Sequence, residues 1–273
     1  MTYETMTWAA ADGVATITLN RPQALNAMTP AFWREMPLIF QEIDARADVR
    51  VVVIRSTGKH FTAGLDLKTA AGELMSDPKL DPGRARERLR RKIRAMQETF
   101  SVIDRCRVPV IAAVQGGCLG AGVDLITACC LRYATRDAFF TIQEINIAIV
   151  ADVGTLQRAP YLLPQGILRE LAYSGRRMAA EEAARYGFVN GIAEDHESCL
   201  AMAEAMARDI AAKSPLAITG IKQVLNQGRG RPVEDGLDYV ATWNAAMLLG
   251  EDVQKAALAA LAKNQADFAD LAP

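Results

Sequence analysis

Ala63-Gly64-Leu65-Asp66-Leu67 recurs as Ala121-Gly122-Val123-Asp124-Leu125, and each copy follows an apolar run and a glycine-containing turn. The runs are Val49 to Ile54 and Val110 to Val114. Their length and the Pro and Gly residues around them argue buried strands. Two such units side by side would present two helix N-terminal regions to one cleft, where backbone N–H groups lack intrahelical acceptors. A pair of such donors can hold a carbonyl oxygen that gains negative charge, as enolate chemistry demands. A five-residue echo also arises by chance or from stacking geometry, so the chemistry has to be sought in other residues.

Three carboxylates are candidates. Asp124 falls in the first turn of a helix expected from about residue 123 to 130, Glu144 follows the expected strand Ala138 to Ile142, and Asp152 follows the apolar stretch Ile145 to Ala151. Acid–base work requires carboxyl groups in surroundings apolar enough to separate their pKa values, and isoleucine, valine or alanine flank Glu144 and Asp152. The bland readings stand beside this one. An Asp in a first helical turn commonly serves the helix dipole, and a lone Glu or Asp is commonly a solvated loop residue.

Other chemistries lack their parts. The sequence has two histidines, His60 and His196, and no Gly-x-Ser-x-Gly, His-Glu-x-x-His or P-loop motif. Gly120-Ala121-Gly122 lacks the third glycine of a dinucleotide fingerprint, because Leu125 stands there. No metal site is expected. With 31 basic against 32 acidic residues, overall charge names no partner. Five cysteines without paired Cys-x-x-Cys spacing suggest reduced thiols, and Met1 to Glu4 shows no leader pattern, so a cytoplasmic protein is expected.

Along the chain, Val14 to Leu19 reads as a strand and Thr29-Pro30 as the start of a helix with Phe32, Met36, Ile39, Phe40 and Ile43 on one face. Pro37 should bend that helix. Residues 76 to 83 read as a loop, and the arginines from Arg84 to Arg94 crowd the helix after it. That run reads as a solvated face or a subunit contact ahead of an RNA-binding one. After residue 155 the chain is mainly helical, with one short strand at Phe188 to Ala193.

Ile17-Thr18-Leu19-Asn20-Arg21-Pro22, Phe61 to Leu67 and Pro109 to Asp124 together resemble the enoyl-CoA hydratase/isomerase (crotonase) superfamily. Within it, Gly122 to Leu125, Asp137 to Phe140, Ala151 to Arg158 and Tyr239 to Asn244 resemble the Δ3,5-Δ2,4-dienoyl-CoA isomerase branch. The resemblance implies an α/β fold, a spiral of ββα units over residues 1–195, with a helical region over 196–273 used in trimer assembly, and a homotrimer or a hexamer as a dimer of trimers. It implies an acyl-CoA substrate whose coenzyme A is part of the substrate, no separate cofactor, and no nucleic-acid or membrane partner. Asp124, Glu144 and Asp152 take the acid–base positions. Ala63 to Leu67 and Ala121 bind the thioester, with the N–H groups of Ala63 and Ala121 as the oxygen's donors. Ala121 replaces the usual glycine, and Cys130 a frequent aspartate. The expected reaction converts a 3,5-dienoyl thioester to the 2,4-dienoyl isomer; the alternatives are 2-enoyl hydration and a non-catalytic or RNA-binding member of the fold.

Overall fold

The computed structural model describes residues 2–69 and 80–273. The strands are β1 (Met6–Ala11), β2 (Val14–Leu19), β3 (Val51–Ser56), β4 (Val110–Val114), β5 (Gly117–Leu119), β6 (Leu131–Thr135), β7 (Phe139–Thr141), β8 (Met178–Ala179) and β9 (Gly191–Ala193). A first sheet has the order β1-β2-β3-β4-β6-β9, with β1 antiparallel to β2 and the other neighbours parallel. A second sheet, β5-β7-β8, pairs β5 with β7 in parallel. Parallel neighbours need crossovers, and the helices supply them.

The helices are α1 (Pro30–Asp44), α2 (Pro82–Arg105), α3 (Ala121–Thr127), α4 (Thr155–Arg158), α5 (Gln165–Ser174), α6 (Ala180–Arg185), α7 (His196–Ala211), α8 (Pro215–Gln227), α9 (Val233–Met247) and α10 (Glu251–Leu261). α1 buries the five apolar residues that its periodicity marks, in one core with Phe61, Phe100 and Ile103. Pro37 does not break it. The carbonyl of Trp33, which would have accepted the missing N–H, accepts the Thr99 hydroxyl of α2 at 3.1 Å instead. One substitution thus ties α1 to α2.

α7 packs Cys199, Ala203, Ala207 and Ala211 against Val51, Val53, Ile111 and Ala113. Small residues at helical spacing let it lie close on the sheet. α7, which begins at the boundary expected at residue 196, packs with the sheet. α9 and α10 bury none of their residues. Of the expected loop, residues 76–79 lie outside the described residues; Asp81 caps α2, its carboxylate accepting the N–H groups of Gly83 and Arg84. The arginine-rich first half of α2 is exposed, with Arg84 paired to Asp81 and Arg90 to Glu87. No helix among the described residues is long and apolar enough to cross a membrane.

Candidate active site

Between α1, α2 and the N-terminus of α3 lies a cavity of about 490 Å³. Met28, Trp33, Leu65, Leu89, Ile93, Met96, Ile147, Ile149 and Val153 make its walls apolar, and Arg34 and Lys92 also line it. The size suits a small-molecule ligand. Ala63, Leu65, Leu67, Ala121, Glu144 and Asp152 all line this cavity.

The backbone amides decide which of these residues can hold an anion. The N–H of Ala63 donates to the Leu25 carbonyl at 2.9 Å, so the expectation that it serves as a ligand donor is corrected. Met28 pairs with the chain on either side of Leu65: its N–H donates to Gly64 O at 2.8 Å, and its carbonyl accepts Asp66 N–H at 3.1 Å. That register leaves Leu65 N–H turned away from Met28, without an acceptor among the described residues. Ala121 is the first residue of α3, where an N–H has no partner within the helix.

Each free amide follows a glycine at positive φ, Gly64 at 79° and Gly120 at 50°. Gly64 also touches the other unit, since a Cβ added to it would lie 2.5 Å from Leu119 O and 3.4 Å from Ala121 N. The conformational match therefore pairs Gly64-Leu65 with Gly120-Ala121, two residues out of step with the sequence echo. Asp66 is not brought into the cavity: its carboxylate accepts the N–H groups of Lys68 and Thr69 and caps the turn that starts at Leu67. Gly64 donates its N–H to the Thr62 hydroxyl.

The carboxyl groups stand beside these amides. Glu144 belongs to a short 3-10 turn after β7, and a Cβ on Gly120 would be 3.2 Å from its Oε1. Its Oε2 is buried without a hydrogen-bond partner among the described residues. Burial first, then the charge of Asp124, pushes the Glu144 carboxyl up to about 7. Asp124 is fully buried one layer behind the cavity wall. Its Oδ1 accepts the Thr155 N–H, while its Oδ2 has no partner among the described residues. Burial holds this carboxyl too above the usual range, against the lowering effect of Thr155.

Asp152 is exposed at the cavity rim, and partial burial raises its carboxyl as well. Its backbone carbonyl accepts the Gln97 side-chain amide at 2.8 Å. The charges of Asp124 and Asp152 add to the effect of burial on Glu144, so a neutral Glu144 beside a charged neighbour is populated near neutrality. Thr155 and Gln97, which hold Asp124 and the Asp152 loop, were not anticipated. Neither has a sequence signal, because one acts through its backbone and the other on a carbonyl. Among the described residues, no group of three His, Cys, Asp or Glu is placed to hold a metal ion.

Residues 9–271 match the family described as enoyl-CoA hydratase/isomerase. A mouse protein named Delta(3,5)-Delta(2,4)-dienoyl-CoA isomerase, mitochondrial, is 46% identical over 90% of this chain and 76% of its own length. An Arabidopsis thaliana protein named as the peroxisomal enzyme of the same activity is 44% identical over 93% of this chain and 91% of its own. The crystal structure of an enoyl-CoA hydratase from Bacillus anthracis superposes with a TM-score of 0.88 at 28% identity, covering 97% of this chain and 99% of that one. The expected cytoplasmic location is corrected, because these relatives are named for mitochondria and peroxisomes.

Proposed function

Because the chain belongs to the enoyl-CoA hydratase/isomerase family, we propose that it converts a 3,5-dienoyl-CoA thioester to the 2,4-dienoyl isomer, with coenzyme A as part of the substrate and no separate cofactor. Two unpaired amides beside three carboxyl groups in an apolar cleft carry this reading. The names of the relatives support it.

In the proposed mechanism the thioester oxygen lies between the N–H groups of Leu65 and Ala121, which stabilise the negative charge that develops there. Each such donor contributes roughly 3 kcal/mol. Ionised Asp152 removes a proton from C2. The resulting dienolate is conjugated to C6, where neutral Glu144 returns a proton. Asp124 keeps Glu144 protonated by like-charge repulsion. The helical region after α7 assembles a homotrimer, alone or as half of a hexamer.

The test adds 3,5-dienoyl-CoA to the full chain and follows the conjugated-diene absorbance, with hydration of a 2-enoyl-CoA run beside it. The proposal requires diene conversion well ahead of hydration. Hydration alone would move the chain to the hydratase side of its family.

A further inference from the structure

The turn from Asp152 to Arg158 holds both Asp152 and the Thr155 N–H that engages Asp124, and it is fastened to α2 at three points. Gln97 reaches the Asp152 carbonyl at 2.8 Å. Arg158 donates through Nη2 to the Ser101 hydroxyl at 3.1 Å and through Nε to the Asp104 carboxylate at 3.3 Å. Gln97, Ser101 and Asp104 follow helical spacing along one face of α2. Asp104 also accepts from Arg229 at 2.8 Å, beyond the end of α8. The Arg158 guanidinium lies flush against the turn: a Cβ on Gly154 would meet its Nη1 at 1.8 Å, and Gly154 has φ 139°.

We propose that Arg158 is a positioning residue for the acid–base group, clamping the Gly154 turn to α2 so that the Thr155 N–H stays on Asp124 and Asp152 stays at the rim of the cavity. The inference rests on the isomerase reading for its kinetic readout only. Among the described residues, Arg158 is also the cation that acts on Asp124, and the other titratable groups that interact with it are Glu144, Asp152 and the Cys118 thiol. Without Arg158, Asp124 ionises at higher pH. Its push on Glu144 then weakens, and Glu144 loses its proton at lower pH.

The experiment compares Arg158→Met, Arg158→Lys and Asp104→Asn with the unaltered full chain. Expected for Arg158→Met is a kcat lower by roughly 10- to 100-fold, as for a small misplacement of reacting groups. KM should change by less than about threefold, the alkaline limb of the kcat–pH profile should move to lower pH, and Arg158→Lys should recover part of the rate. A profile that overlays the unaltered chain's, with kcat reduced only in proportion to the folded fraction, overturns the proposal. Should the unaltered chain fail to isomerise dienes, the functional reading falls instead. The proposal is then decided without substrate by infrared titration of the Asp124 carboxyl, identified as the band lost in Asp124→Asn. An upward shift in Arg158→Lys or Asp104→Asn sustains it, and an unmoved titration in both overturns it.

Discussion

Asp124 and Asp66 occupy the same place in the repeated pentapeptide and do different work. Asp66 satisfies amides of its own turn, while Asp124 is fully buried, with one oxygen unpartnered among the described residues. Burial raises the Glu144 carboxyl above its unfolded value, so Glu144 adds stability at low pH and withdraws it as pH rises from about 4.5 to about 7. Glu144→Gln removes that dependence. Denaturant unfolding should find the variant about 2 kcal/mol more favoured at pH 8 than at pH 5, relative to the unaltered chain. Asp152→Asn and Glu144→Gln should each lower kcat by roughly 10²- to 10⁴-fold in the diene assay, with KM little changed. The three acids were legible in the sequence because apolar neighbours surround them. The donor that the resemblance placed on Ala63 belongs instead to Leu65, because the free amide is set by the glycine before it.

At the scale of elements, the two units meet where Gly64 touches the Leu119 carbonyl. A side chain there faces both that contact and an unfavourable positive φ. Gly64→Ala should therefore cost about 1–3 kcal/mol in thermal or denaturant unfolding and should lower kcat by shifting the Leu65 amide. Thr99→Val tests the α1–α2 link: it strands the Trp33 carbonyl and should cost about 1–3 kcal/mol. The alternating strand β2, the apolar strands β3 and β4, and α1 follow from periodicity. β6 does not, because Arg132 interrupts it, and an arginine in mid-strand reads as exposed. It is buried, and its guanidinium donates to the carbonyls of Phe188 and Cys129 at 2.6 and 2.7 Å. Nor does β1, whose run Met-Thr-Trp-Ala-Ala-Ala shows only faint alternation.

For the whole molecule, α9, α10 and the turn between them leave Val233, Leu237, Leu249, Leu258 and Leu261 exposed on a single chain. Exposed apolar side chains in that number are what the proposed trimer would cover. Light scattering should return three or six times the 29.6 kDa chain mass, and Leu249→Asp combined with Leu261→Asp should lower it. A mass of one chain at micromolar concentration would contradict the assembly. The mainly helical end was legible in the sequence after residue 155, whereas the spiral core was an implication of the family resemblance. The fastening of the Gly154 turn to α2 was not legible, because residues far apart in sequence meet there only after folding.

The central claim is that Asp152 takes the C2 proton and Glu144 supplies the one at C6. Incubating 3,5-dienoyl-CoA with each variant in deuterated water separates the two steps. Glu144→Gln should exchange deuterium into C2 without forming the 2,4-diene, and Asp152→Asn should do neither. Rapid C2 exchange by Asp152→Asn would contradict the account.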